Sequence, residues 1–447
     1  MKKMKYLGWT LLAVVLLLGG AAGGIVALNL RGEDPLPDHA ETFNATPQQV
    51  ERGRYLALAG NCAGCHTTRG GQPYAGGLPI ETPFGTVYSS NLTPDEKSGI
   101  GSWSSAHFWR AMHNGRSKDG RLLYPAFPYP NFTQVTREDS DAIYAYLRSV
   151  PPAPAPNLAH RLRFPYDTQA ALAVWRALSF KPETFVANAG KPAEWNRGAY
   201  LVGGLGHCIA CHGPRDSLGA TQTQLGLSGG LIAAENWYAP SLADPHEAGV
   251  ADWPTAEVVA LLKSGIAPRG SVMGPMADVV FRSTQYLSDA DLAAMASYLK
   301  DLPGAPAATA APAQPAAVLR RDAGTMARGA KIYDQRCAYC HGDQGQGAPG
   351  AFPPLAGNRA VNMAQTANLI QVIAHGGYLP ATEGNPRPYG MPPFGHLLDA
   401  GDVAAVLTFV RGHVMGQRQP ARDTARHDAA LSWRLRALDA LWKRPAL

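Results

Sequence analysis

The sequence predicts a mainly α-helical chain of three tandem units behind an N-terminal membrane helix. Three observations carry this. A Cys-x-x-Cys-His pentapeptide recurs as Cys62-Ala-Gly-Cys65-His66, Cys208-Ile-Ala-Cys211-His212 and Cys337-Ala-Tyr-Cys340-His341. An Arg-Gly pair stands a few residues upstream of each (Arg52-Gly53, Arg197-Gly198, Arg328-Gly329), so whole units repeat about every 130–145 residues. Residues 6–30 are uncharged and follow Lys2, Lys3 and Lys5. A chain of 447 residues also suits about three domains.

Each pentapeptide is the attachment pattern of a c-type haem. Two thiols form thioethers to the porphyrin vinyl groups, and the adjacent His ligates the iron. A Met or His on the opposite side helps set the potential. Cys62, Cys65, Cys208, Cys211, Cys337 and Cys340 are therefore the expected attachment residues, and His66, His212 and His341 the proximal ligands. Together the motifs use all six cysteines, leaving none for a disulfide or a Cys-rich zinc site. The expected fold is mainly α: three tandem cytochrome c domains with long loops around three covalently bound haem c groups, plus an N-terminal transmembrane helix. Abundant Gly and Pro (48 and 37) suit such loops, and a covalent haem supplies apolar surface that a small domain lacks. The net charge of +6 is modest and spread along the chain, so nothing beyond charge points to nucleic acid.

The run at residues 6–30 would span about 37 Å as a helix, enough for a hydrocarbon core of about 30 Å. Its basic flank stays in the cytoplasm, which places the remainder on the periplasmic face of a bacterial inner membrane. A cleaved signal is the competing reading, given the small residues at 19–24. The apolar run continues beyond them, which favours an uncleaved anchor over residues 1–33.

The first domain is expected over 45–155. Thr46-Pro47 is an N-cap with Pro at the first helical position, and this helix leads to the first pentapeptide. Further helices are expected at 104–113 and 136–147, stopped by Pro151-Pro-Ala-Pro-Ala-Pro156. Residues 170–178 read as a helix packing between units. The second domain, 190–303, repeats the plan with helices at 255–263 and 288–299. An Ala/Pro-rich linker over 304–321 follows. The third domain, 324–415, closes with a helix at 401–410. A polar linker and an amphipathic helix are expected within 418–447, lying on anionic lipid or docked on protein.

The distal ligand is sought as a Met in a loop between the middle and closing helices. The third unit has Tyr389-Gly-Met391-Pro-Pro-Phe, and the second offers Met273 and Met276. In the first, Leu123-Tyr-Pro-Ala-Phe127-Pro-Tyr-Pro puts Phe where sulfur is expected, and Phe cannot ligate iron. Met112 or His113, at the end of the middle helix, then supplies the ligand, or the iron is five-coordinate. Leu262 and Ile373 occupy the position of Met112 in the other units, which marks an apolar site facing the haem.

Thr82-Pro-Phe-Gly-Thr-Val-Tyr-Ser-Ser-Asn-Leu-Thr-Pro-Asp95, Tyr124-Pro-Ala-Phe-Pro-Tyr, Gly274-Pro-Met-Ala-Asp-Val-Val and Met391-Pro-Pro-Phe resemble the triple-haem cytochrome c subunits of membrane-bound bacterial dehydrogenases. Those subunits serve alcohol, aldehyde and gluconate dehydrogenases and related molybdenum hydroxylases. The resemblance covers residues 45–415 and implies Met276 as the second distal ligand. Many relatives carry Met in place of Phe127, so the first haem's ligation does not transfer. It further implies a large catalytic dehydrogenase partner (quinoprotein, flavin or molybdenum) and ubiquinone or a terminal oxidase as acceptor.

The leading reading is thus a non-catalytic electron-transfer subunit. No GxGxxG at a strand–helix turn, P-loop, HExxH or GxSxG occurs. One rival is a haem enzyme acting at an open first haem, supported by Phe127. Another is an oxidase-associated electron carrier.

Overall fold

A computed structural model describes residues 2–36, 43–304 and 323–414. The Ala/Pro linker, apart from Gly304, and the expected C-terminal helix lie outside the described residues. The described chain falls into two compact units. One takes residues up to 189 with 200–210 and 216–220; the other takes 190–199, 211–215 and 221 onward.

Helices dominate, and seven of the described α-helices start at a residue whose side chain caps them. Thr46 accepts from Gln49 N–H, and Gln49 returns the bond to Thr46 N–H, closing a capping box before the helix Pro47–Ala59. Ser104 caps Ser105–Asn114. The closing helices Arg137–Ser149, Asp289–Lys300 and Ala400–Phe409 are capped by Thr136, Ser288 and Asp399, each accepting from an Asp three residues on.

In each repeat the leading helix crosses the closing helix through the Arg-Gly pair. A Cβ on Gly53 would sit 1.8 Å from Ala142 O, one on Gly198 1.9 Å from Ala294 O, and one on Gly329 2.2 Å from Ala405 O. Only glycine permits so close a crossing. The neighbouring arginine closes it: Arg52 Nε donates to Asp139 at 2.8 Å, Arg197 to Asp291 at 2.8 Å, and Arg328 Nε to Asp402 at 2.8 Å. Those aspartates are the capped N3 residues, so cap, ion pair and crossing share one recurring pattern.

The helix Lys2–Leu30 contains an apolar span, Tyr6–Leu30, with an 18-residue stretch of mean hydropathy 2.5 that is unburied. That is long enough to cross a bilayer. Its C-terminal end is built into the first unit. Asn29 Nδ2 donates to Ala173 O at 2.9 Å, Asn114 Nδ2 to Gly32 O at 2.9 Å, and Arg116 Nε to Glu33 at 2.7 Å. The helix Gln169–Ser179, expected to pack between units, reaches the second repeat, where Trp175 Nε1 donates to Leu218 O at 3.0 Å, and also lies against this N-terminal helix. Arg176 draws it there: it is buried and stacks over Tyr129 and Phe180, with its guanidinium carbon 5.2 and 4.9 Å from the ring centroids.

Short antiparallel strands fill the loops. Pro79–Thr82, Gly85–Tyr88 and Arg161–Leu162 form a three-stranded sheet. Two-stranded ribbons join Gly230–Ile232 to Trp237–Ala239, Ile266–Ala267 to Gly270–Ser271, and Gly377–Tyr378 to Gly390–Met391.

Candidate haem sites

Each pentapeptide forms a short helical turn directly after its leading helix: Cys62–His66 after Pro47–Ala59, Ile209–His212 after Ala193–Tyr200 and the π-turn Leu201–Leu205, and Ala338–His341 after Ala323–Arg336. The three histidines are held alike. Nδ1 of His66 lies 2.6 Å from Ser90 O, that of His212 2.7 Å from Pro240 O, and that of His341 3.1 Å from Pro353 O. A carbonyl can only accept, so each Nδ1 carries the proton and Nε2 keeps its lone pair. Burial holds all three rings below the ordinary imidazole value, which favours the neutral, ligating form.

The carbonyl partners escaped the sequence reading, because a backbone atom has no residue signature. One weak signal exists: each precedes a leucine by two positions, in Ser90-Asn-Leu92, Pro240-Ser-Leu242 and Pro353-Pro-Leu355.

The candidate distal residues occupy three settings. Met391 ends a short strand paired with Gly377. Gly376, at φ +65°, turns so close beneath it that a Cβ would meet Met391 O at 2.3 Å. Met276 was expected in a loop but stands in the first turn of the helix Pro275–Arg282. Gly274 at φ +56° and Pro275 start that helix, and Met276 packs on Val272, Ala277 and Val280. Met112 is buried in Ser105–Asn114. Its neighbour His113 stacks on Trp109 at 4.4 Å and lies 3.5 Å from Thr133 Oγ1. Phe127 packs against Phe132, with ring centroids 5.4 Å apart.

The cytochrome c family model matches residues 50–151, 196–303 and 326–413, one segment around each pentapeptide. The chain belongs to the cytochrome c family. Relatives resemble it over most of its length. The cytochrome c subunit of a quinone alcohol dehydrogenase from Gluconacetobacter polyoxogenes is 41% identical over 397 residues, covering 86% of this chain and 84% of the relative. The corresponding Gluconobacter oxydans subunit is 38% identical over 416 residues, covering 90% and 83%. A gluconate 2-dehydrogenase cytochrome c subunit from Pantoea cypripedii is 37% identical over 395 residues, covering 86% and 89%.

Cytochrome c domains carry covalently bound haem c, and the donor set of this cytochrome fits it. Each pentapeptide offers two thiols three residues apart and an imidazole whose Nδ1 is already engaged. That second bond fixes the ring's tautomer and raises its basicity as a ligand.

Proposed function

We propose that this cytochrome is the membrane-anchored electron-transfer subunit of a periplasmic dehydrogenase and holds three haem c groups. The observation that carries the reading is the thrice-repeated pairing of a Cys-x-x-Cys-His imidazole, through Nδ1, with a backbone carbonyl. Bound there, haem supplies a one-electron ferric/ferrous couple.

The domains are assigned to 45–155, 190–303 and 324–415. Cys62 and Cys65, Cys208 and Cys211, and Cys337 and Cys340 hold the porphyrins covalently. His66, His212 and His341 are the proximal ligands, with Met276 and Met391 opposite the latter two. Such protein ligands on both faces exclude substrate and favour outer-sphere exchange. In the first domain Met112 takes the distal role: it is buried, whereas Phe127 has no ligating atom and His113 is engaged by Trp109.

The subunit accepts electrons from a large catalytic partner of quinoprotein, flavin or molybdenum type, which oxidises a small substrate such as an alcohol or sugar acid. It delivers them to ubiquinone or a terminal oxidase. Residues 1–33 remain as the anchor, a reading supported by the bonds from Asn29, Gly32 and Glu33 into the first unit.

Gentle solubilisation of native membranes and affinity capture of the tagged cytochrome test this. A large dehydrogenase subunit should come with it; oxidase subunits alone, or no partner, would reject the proposal.

A further inference from the structure

Residues 221–303 of the second domain lie in one compact unit with the third domain, and the contact face between them is specific. Arg359 of the third domain donates to Gly249 O at 2.6 Å and to both oxygens of Asp252 at 2.7 and 2.9 Å. The same guanidinium lies over the ring of buried Trp253, at 5.8 Å. Asn368 and the Tyr238 backbone exchange two bonds, Tyr238 N–H to Oδ1 at 2.8 Å and Nδ2 to Tyr238 O at 2.7 Å. This pairing satisfies an edge residue of the Trp237–Ala239 strand as another strand would.

The third contact lies beside the segments that carry Met276 and Met391. Gly265, at φ +78°, approaches Pro380 so closely that a Cβ would lie 2.4 Å from Pro380 Cγ. A Cβ on Gly377 would lie 3.5 Å from Met273 Cε. Gly377 is the strand partner of Met391, and Met273 is three residues before Met276. Met273, the methionine left without a ligand role, thus stands between the two distal segments.

Domains joined in one chain ordinarily move relative to each other unless their interface holds them, and an Ala/Pro-rich segment alone only spaces them. We infer that this contact face, rather than the segment 305–322, fixes the spacing of the second and third haem sites, with Arg359, Asn368 and Met273 as positioning residues. Exchange between the sites moves one electron from the reduced to the oxidised side and makes or breaks no bond. Its rate then depends on the spacing that these residues hold.

The test is a specific protease site placed within 305–322 of the full-length, haem-loaded protein. After cutting, the third domain should stay bound through gel filtration in detergent, and electron exchange between the last two haems should keep its uncut rate. Release of the third domain or a slower exchange would overturn the inference. Arg359→Ala combined with Asn368→Leu should release the third domain from the cut chain; continued association would contradict the clasp. Met273→Ala in the uncut chain should slow exchange several-fold at unchanged midpoint potentials. An unchanged rate, or a shifted potential marking Met273 as a ligand, would remove it from this role. The inference rests on the haem assignment above, and the two failures are distinct. A chain lacking haem at either site would sink that assignment, whereas release from a fully loaded chain would sink only the clasp.

Discussion

Arg176 Nε donates to Asn29 Oδ1 at 2.9 Å, joining the last turn of the N-terminal apolar helix to a helix 147 residues away in the sequence. Both residues are buried, and Asn29 also donates to Ala173 O. The N-terminal apolar helix therefore enters the first unit through fixed hydrogen bonds. Asn29→Leu leaves the Arg176 Nε without this partner, which costs about 2 kcal/mol. Denaturant unfolding of the first unit in detergent should show a lower midpoint at unchanged slope; an unchanged midpoint would mean the joint contributes nothing.

The helix crossings give a second expectation. Gly198→Ala and Gly329→Ala each drive a methyl group into a carbonyl oxygen of the closing helix, at 1.9 and 2.2 Å before relaxation. Overpacking of this kind costs about 3 kcal/mol. Gly304→Ala is the control, since no atom of the described residues lies within 4 Å of its added Cβ. Thermal melts should separate the first two from the control, and equal melting temperatures would refute the crossing argument.

Much of this architecture is legible in the sequence because its signals are local. Thr46, Ser104, Thr136 and Ser288 mark helix starts to within a residue, since a cap is a side chain bonding its own next turn. The Cys-x-x-Cys-His turns are legible for the same reason: five adjacent positions suffice. What the sequence concealed is non-local or carried by backbone. The two-residue strands beside Met391 are too short for any alternation. Ser90, Pro240 and Pro353 act through carbonyls. The Arg-Gly echo was visible, but its cause lay in the partners Asp139, Asp291 and Asp402. Nothing local in the sequence marks Arg176 as buried against Asn29, a residue 147 positions away.

His160 gives a pH dependence whose sign is fixed by geometry. Its Nδ1 accepts from Tyr88 N–H at 3.1 Å, and burial, with the Arg121 charge adding to it, holds the ring below its ordinary value. The folded state therefore binds the proton less readily than the unfolded chain, whose imidazole titrates near about 6.5. This contribution is fully present above that value and is lost as pH falls toward and through the lowered folded value. His160→Gln should flatten the loss of stability below about pH 6.5, read from denaturant midpoints across pH. An identical slope in both proteins would remove His160 as its source.

Met391→His tests the third distal ligand. Imidazole stabilises ferric iron better than a thioether does, so the potential of one haem should fall while the others hold. An unchanged redox titration would reject Met391.

The central claim is that electrons enter this cytochrome from a separate dehydrogenase. The direct measurement is anaerobic absorbance of the c-type haem α band on adding alcohols and sugar acids, one at a time, to the captured complex and to the isolated chain. The account predicts reduction in the complex by one substrate class and none in the isolated chain. Reduction of the isolated chain by the same substrate, or its turnover of peroxide or nitrite, would contradict it.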